Sequence, residues 1–188
     1  MKEIIYTCTS CGQVHTEWPA LTYLSPTNYD LLSAEDKETI GQLSNDLCVI
    51  THPGQTDRFI RCTLTQKVID HCQDLEYGVW VSLSEKNFQD YSDNFDNDQH
   101  ITTYFGWLCN ALPDYDFSTG SVPTTVRTRE GDLRPEIVPH KDFVHAFVDD
   151  YYRGITEYEA EKRIHNMLQA VQQPDTNTQA KKPWWKVW

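Results

Sequence analysis

Tyr77-Gly78-Val79-Trp80-Val81-Ser82-Leu83 is the clearest strand signal in this sequence, and Ser84 directly after it is a helix-capping residue. The helix that would follow carries Phe88 and Tyr91 three residues apart on one face. A second strand pattern lies upstream at 58–64, where successive side chains alternate between two faces. Short strands without repeated strand–helix–strand units favour an α+β fold over a doubly wound sheet. We therefore predict one α+β domain with a mixed or antiparallel sheet and flanking helices.

Serine and threonine residues predict where further helices begin. The predicted starts are Ser25 with Pro26 after it, Ser33 with Asp36 as a variant capping box, and Thr156 with Glu159 as a capping box. We expect the helix after Ser33 to reach about Leu43 and the last helix to reach about Gln172. Residues 143–152 predict another helix between them.

Strand and core signals complete the predicted sheet. Residues 45–50 indicate a turn that enters a buried strand, and Glu130-Gly131-Asp132 between two strand-like runs predicts a hairpin. The aromatic side chains near these strands are predicted to be core, namely Tyr77, Trp80, Tyr104, Phe105 and Trp107. Two of these runs contain a glycine, which would also suit a groove where another molecule approaches closely.

Length and charge restrict the class of protein. The chain has 188 residues, which fits one globular domain over 1–172 and a flexible linker with a Trp/Lys-rich tail over 173–188. Its formal net charge of −12 argues against general nucleic-acid binding and suits a basic partner. No apolar run approaches the roughly 20 residues that span a bilayer, and the N-terminus lacks a signal-peptide core. We therefore expect a cytoplasmic protein whose six cysteines are thiols or metal ligands.

Cys8-Thr9-Ser10-Cys11-Gly12-Gln13-Val14-His15 has the spacing of a zinc knuckle. A closed structural zinc site needs about four ligands, so we predict Cys8 and Cys11 with His15 and Cys48 as the candidates that complete it. Two alternatives remain at this stage. Cys8 and Cys11 are free thiols in a tight turn and Cys48 is a small core side chain, or the metal keeps an open position. An open position would suit a hydrolase-like enzyme with Asp46 or His145 as the base.

The tail carries the remaining binding signal. The last eight residues, Lys181 to Trp188, contain three lysines and three tryptophans, Trp184, Trp185 and Trp188. Tryptophan is a common anchor in protein interfaces, so we predict that these residues contact a partner. The alternatives are packing against the chain's own domain and weak contact with a membrane surface.

The chain resembles a bacterial family known only as domain of unknown function number twenty-one ninety-nine. The matching stretches, in order, are Cys8–His15, Asp46-Leu47-Cys48-Val49-Ile50, Phe59-Ile60-Arg61, 77–84, Phe105-Gly106-Trp107-Leu108 with Asn110, Leu112-Pro113, Arg134-Pro135, His145 and Gly154-Ile155. The family usually has Pro-Leu after the histidine, where this chain has Ala146-Phe147. The resemblance implies a bacterial, cytosolic protein and no particular activity.

No HExxH, GxSxG, P-loop or GxGxxG motif occurs in the sequence. The acidic charge and the appended tail instead favour a non-enzymatic binding protein. One specific form is an immunity-type inhibitor that covers a basic toxin, with zinc in a structural role. The alternative is the metal-dependent enzyme described above. We predict no catalytic or organic cofactor-binding residue.

Overall fold

The structure is a computed structural model that describes residues 4–7, 12, 14–118 and 120–172. Within these residues the strands and helices follow in this order: β1 Tyr6–Thr7, β2 Val14–His15, β3 Leu21–Thr22, α1 Thr27–Asp30, α2 Ala34–Thr39, β4 Gly41–Leu43, β5 Leu47–His52, β6 Gln55–Gln66, β7 Val68–Ile69, β8 Leu75–Leu83, α3 Glu85–Asp93, β9 Thr103–Leu108, β10 Pro123–Arg127, β11 Glu136–Pro139, α4 Ala146–Arg153, β12 Ile155–Thr156 and α5 Glu157–Gln172. No helix among the described residues is long and apolar enough to cross a membrane.

One eight-stranded sheet forms the body of the domain, in the order β3-β8-β9-β10-β11-β6-β5-β4. β6 also pairs antiparallel with β8, from Phe59 opposite Ser82 to Gln66 opposite Leu75. This extra pairing closes β8, β9, β10, β11 and β6 into a five-stranded ring. β3 runs parallel to β8 and β11 runs parallel to β6, whereas the other pairs in the sheet are antiparallel. The predicted α+β class and mixed sheet are confirmed.

The interior of the ring holds the main hydrophobic core. Alternate residues of β6 and β8 point inward and are fully buried, among them Cys62, Leu64 and Val79. Phe147 of α4 and Ile164 of α5 belong to the same core. Apolar burial contributes roughly 25 cal/mol per Å², so this shared interior is the main stabilising feature of the fold.

A second, smaller core lies on the outer face of β5, β6 and β8. It consists of Cys48, Ile50, Phe59 and Trp80, and residues of the α1–α2 segment pack against it. The backbone N–H of Trp80 donates to Asn110 Oδ1 at 2.6 Å, and its indole Nε1–H donates to the Tyr23 carbonyl at 3.0 Å. These bonds fix the covering segment against the sheet.

Three of the predicted helix caps are confirmed and one is wrong. Ser33, Ser84 and Thr156 each accept a bond from the backbone N–H three residues later, at 3.0, 3.3 and 3.2 Å. Ser25 does not cap α1, which begins at Thr27 after Pro26. Its hydroxyl instead donates to Asp30 Oδ1 at 2.6 Å.

Two predicted helices have different bounds in the structure. α2 ends at Thr39, short of Leu43, because Gly41 begins β4 and pairs with Ile50. α4 begins at Ala146, not at residue 143, because His145 is its extended N-cap residue. The predicted hairpin is confirmed, since β10 and β11 pair antiparallel from Arg127 opposite Glu136 to Thr124 opposite Pro139.

The prediction that Phe105 and Trp107 are core residues is wrong. Tyr104 is buried with Leu108 in the main core, but Phe105 and Trp107 are 47% and 43% exposed on the other face of β9. Gly106 explains this choice of face. A Cβ at Gly106 would lie 2.3 Å from Val81 Cγ1 on the neighbouring strand β8, so this inward position has no room for a side chain.

Candidate binding sites

The predicted metal ligands are only partly within the described residues. Cys8 and Cys11 lie outside them, as does the side chain of His15. The strands on either side, β1 and β2, pair antiparallel with Tyr6 opposite His15. Among the described residues no group of three or more His, Cys, Asp or Glu side chains is placed to hold a metal ion. The zinc site therefore stays a prediction.

Cys48, the fourth candidate ligand, lies in the smaller core with Phe59 and Trp80. Its strand β5 pairs with β4 and β6. Burial raises the pKa of the Cys48 thiol to about 12. Metal ligation requires a thiolate, so Cys48 as a ligand remains a prediction that needs its own test.

Three stretches that carry the family resemblance, at 46–50, 59–61 and 134–135, meet around Asp46. Arg134 Nε donates to Asp46 Oδ1 at 2.5 Å, and Arg61 Nη1 donates to the Asn45 carbonyl at 3.2 Å. Burial, followed by the neighbouring charge of Arg134, lowers the pKa of Arg61. Asp46 thus forms an ion pair that joins the start of β5 to the β10–β11 hairpin.

Both ring nitrogens of His145 are used in holding the chain. Nδ1 accepts the backbone N–H of Phe147 at 3.1 Å and so caps α4, while Nε2 lies 2.7 Å from the Asp116 carbonyl. One neutral tautomer satisfies both bonds, with the proton on Nε2. Phe117 packs against the ring at a centroid distance of 4.8 Å. The histidine therefore fixes the start of α4 against the loop that contains Asp116.

The outer side of β9–β10–β11 forms an open surface, which we call the aromatic face: Phe105, Trp107, Thr125, Val138 and His140. Phe105 lies edge-on to Trp107 at 5.3 Å and to His140 at 5.5 Å between ring centroids. Thr125 stands opposite both Phe105 and Val138 in the sheet, and its hydroxyl lies 3.2 Å from His140 Nε2. Two large aromatic side chains are thus held in fixed orientations toward solvent.

The stretch of sequence that contains β9 is strongly acidic. Between Lys86 and Arg127 the sequence contains six aspartates and neither lysine nor arginine. Asp90, at the end of α3, accepts bonds from the Tyr104 hydroxyl at 2.7 Å and from His100 Nε2 at 3.1 Å. These two bonds, the first the stronger, lower the pKa of Asp90. Tyr104 and His100 thereby connect α3 to the start of β9 through Asp90.

A second site lies between β3, β8 and α5. This cavity of about 390 Å³, which we call the Arg163 cavity, has mainly apolar walls with a few polar groups. Its lining includes Leu21, Tyr23, Tyr77, Asp114, Arg163 and Met167. Arg163 is only 4% exposed, which is unusual for an arginine unless it is paired.

Three carboxylates surround the guanidinium of Arg163. Its Nε lies 3.2 Å from Glu159 Oε1 and 3.6 Å from Asp114 Oδ2, and its Nη2 lies 3.8 Å from Asp150 Oδ2. Burial raises the pKa of Asp114, and the charge of Arg163 opposes this shift. The cluster therefore carries more negative than positive charge when all three carboxylates are ionised.

Two tyrosine hydroxyls complete the network. Arg163 donates from Nη1 to Tyr77 at 3.1 Å and from Nη2 to Tyr115 at 2.9 Å, and the Tyr115 hydroxyl donates onward to Asp150 at 2.9 Å. The Arg163 guanidinium also lies 4.8 Å from the Tyr115 ring centroid. Sequence reasoning missed this site. The available signal was the position of Arg163 within the apolar stripe of α5, three residues after Ala160 and beside Ile164.

The chain is an α+β domain with a closed mixed sheet, and it has two separate candidate sites, the aromatic face and the Arg163 cavity. The family model for an uncharacterized protein conserved in bacteria (DUF2199) matches residues 7–155, so the chain belongs to this family. The matched range includes the aromatic face and the Asp46–Arg134 pair but ends before Arg163. A search of curated proteins and a search of solved structures each found no match.

Proposed function

We propose that this protein is a non-enzymatic binding protein whose aromatic face contacts a basic protein partner. The observation that carries the proposal is the exposure of Phe105 and Trp107, at 47% and 43%, within a motif of the family resemblance. An immunity-type inhibitor that covers a basic toxin is the specific form we favour.

The chemistry of the face supports a protein partner. Tryptophan and phenylalanine are enriched in interfaces, and a few such anchors provide most of the binding energy. Phe105 and Trp107 are held by ring contacts and by the sheet, so they lose little conformational freedom on binding. The net charge of −12 would speed association with a basic protein.

The alternative, a metal-dependent hydrolase, requires Asp46 or His145 to act as a base. Asp46 is paired with Arg134, and both ring nitrogens of His145 are bonded to the backbone. Burial raises the pKa of the Cys109 thiol to about 11, so this thiol is a poor nucleophile at neutral pH. These contacts favour binding over catalysis as the proposed role.

The predicted zinc and the predicted tail contacts form part of the same proposal. We propose a structural zinc at Cys8, Cys11 and His15 with Cys48 as the fourth ligand, a set that rests on the sequence. Trp184, Trp185 and Trp188 lie outside the described residues. Their proposed contact with the partner rests on their sequence alone.

The test begins with capture of partners by the tagged full chain from lysate of its source cell, at low and at moderate salt. The affinity of the captured protein for purified chain is then measured by calorimetry. We expect Phe105→Ala and Trp107→Ala each to weaken binding by about 30-fold, as for an interface anchor worth about 2 kcal/mol. Tyr158→Ala is the matched control, because Tyr158 is an exposed aromatic residue on α5.

Two results would overturn the proposal. One is the absence of any saturable partner at either salt concentration. The other is a captured partner that binds the two aromatic-face variants as tightly as the unchanged chain. A partner whose affinity does not fall with rising salt would remove the basic-protein part of the proposal.

A further inference from the structure

We propose that the Arg163 cavity is a binding site for a small cationic ligand, namely an aromatic or apolar body that carries a protonated amine. The cavity is separate from the aromatic face. The proposal is therefore independent of the protein partner proposed above.

The size and lining of the cavity fit a small molecule. Its volume of about 390 Å³ lies within the range of about 300–1,000 Å³ typical of ligand pockets. Leu21, Met167 and the tyrosine rings supply apolar walls. Such walls favour a flat or compact apolar body, while the few polar groups determine its orientation.

The charges in the cavity select a cation over an anion. Arg163 already faces three carboxylates, those of Glu159, Asp114 and Asp150. Its Nη1 and Nη2 atoms donate to tyrosine hydroxyls. An anionic ligand would add a fourth negative charge around one guanidinium, whereas an ammonium group would reduce the excess negative charge.

Asp114 is the group best placed to receive the amine. Among the described residues its carboxylate contacts Arg163 at 3.6 Å and accepts a hydrogen bond from its own backbone N–H, and no other residue donates to it. Its side chain is 15% exposed, so water satisfies it only in part. A partly desolvated carboxylate gains from a further donor, and a ligand N–H would supply one. The Asp30 carboxylate also lines the cavity and adds a second negative charge to its wall.

The test compares two probes with the same aromatic body and opposite charge, tryptamine and indole-3-acetate. Calorimetry with the full chain at neutral pH should show saturable binding of tryptamine, at least tenfold tighter than that of indole-3-acetate. Asp114→Asn should weaken tryptamine binding at least tenfold. Asp116→Asn is the control, because Asp116 is two residues away, exposed, and outside the cavity lining.

A second variant keeps the test valid if Asp114→Asn folds poorly. Ala170→Trp places a large side chain in the lining of the cavity and should abolish tryptamine binding. Equal or tighter binding of indole-3-acetate would overturn the choice of a cation. Tryptamine binding that survives both Asp114→Asn and Ala170→Trp would overturn the location.

The chain's own tail shares this chemistry, since Lys181–Trp188 combines lysine ammonium groups with indole rings. The same titrations on a full chain with Trp184, Trp185 and Trp188 changed to serine distinguish the two sources. Unchanged tryptamine affinity assigns the cavity to a free ligand. A tryptamine affinity at least tenfold higher in the serine variant identifies the tail as an occupant that competes with tryptamine for the cavity. Failure of tryptamine to bind either form of the chain would overturn the site.

Discussion

Replacing Arg163 by methionine is the strongest test of how the C-terminal helix is held. The change removes the guanidinium that contacts Asp114, Glu159 and Asp150, and it leaves the Tyr77 and Tyr115 hydroxyls without their donor. Breaking a buried ion pair by removing one partner costs about 3–5 kcal/mol, because the other charge stays buried and unpaired. Methionine fills much of the same space, so we add no cavity penalty and expect the free energy of unfolding to fall by about 3–5 kcal/mol.

The assay is urea denaturation followed by tryptophan fluorescence, with the fully buried Trp80 as a reporter of the folded state. Lys162→Met on the same helix is the matched control. Lys162 pairs with Glu159 at 3.4 Å on the surface, and such a pair contributes at most about 1 kcal/mol. A loss below about 1 kcal/mol for Arg163→Met at neutral pH would refute the argument that the buried guanidinium balances the carboxylates.

The pH dependence of the same variant gives an independent check. Burial already raises the pKa of Asp114 above its ordinary value of 3.8, and loss of Arg163 removes the charge that opposes this shift. A carboxyl whose pKa is raised on folding binds protons more tightly in the folded state, so the protein gains stability as the pH falls through that pKa. We therefore expect the loss in free energy of unfolding caused by Arg163→Met to become smaller as the pH is lowered toward the raised pKa of Asp114, which lies above 3.8. A deficit that grows in this range would contradict the proposed cause.

Gly106→Ala should lower the free energy of unfolding by about 1–3 kcal/mol, because the new Cβ would lie 2.3 Å from Val81 Cγ1. Gly78→Ala should lower it less, because the nearest atom to its new Cβ, Thr22 Oγ1, lies at 3.1 Å. Equal losses at the two glycines would count against the inward orientation of Gly106. Trp107→Ala should change the same free energy by less than about 1 kcal/mol, since surface substitutions have small effects, and a loss above about 3 kcal/mol would show a core residue. Metal analysis of the purified chain should find about one zinc per chain, lost in Cys8→Ser and in Cys11→Ser; retention of zinc in both variants would refute the knuckle.

Local sequence patterns predicted β5, β6, β8, β10 and β11 and most of the helix starts, because these depend on neighbouring residues. The alternation at 58–64 lies within β6, and Ser84 caps α3 as expected. Closure of the ring was not predictable in this way. It depends on a short parallel contact in which the backbone N–H of Thr63 donates to the Pro135 carbonyl at 2.8 Å, between residues far apart in the sequence. Neither residue carries a local signal of its distant partner.

The aromatic face and the Arg163 cavity show the same division between local and distant information. Phe105 and Trp107 were identified as important but assigned to the wrong face, because alternation alone does not say which face of a strand is buried. Gly106 decides it, but only through its distance to Val81 on a neighbouring strand. Arg163 is the opposite case, a residue whose type predicts exposure and that the structure buries. An arginine beside an apolar stripe usually lies at the solvated edge of a helix. Its partners come from β8, the segment after β9, and α4, so its burial follows from tertiary packing that only the structure shows.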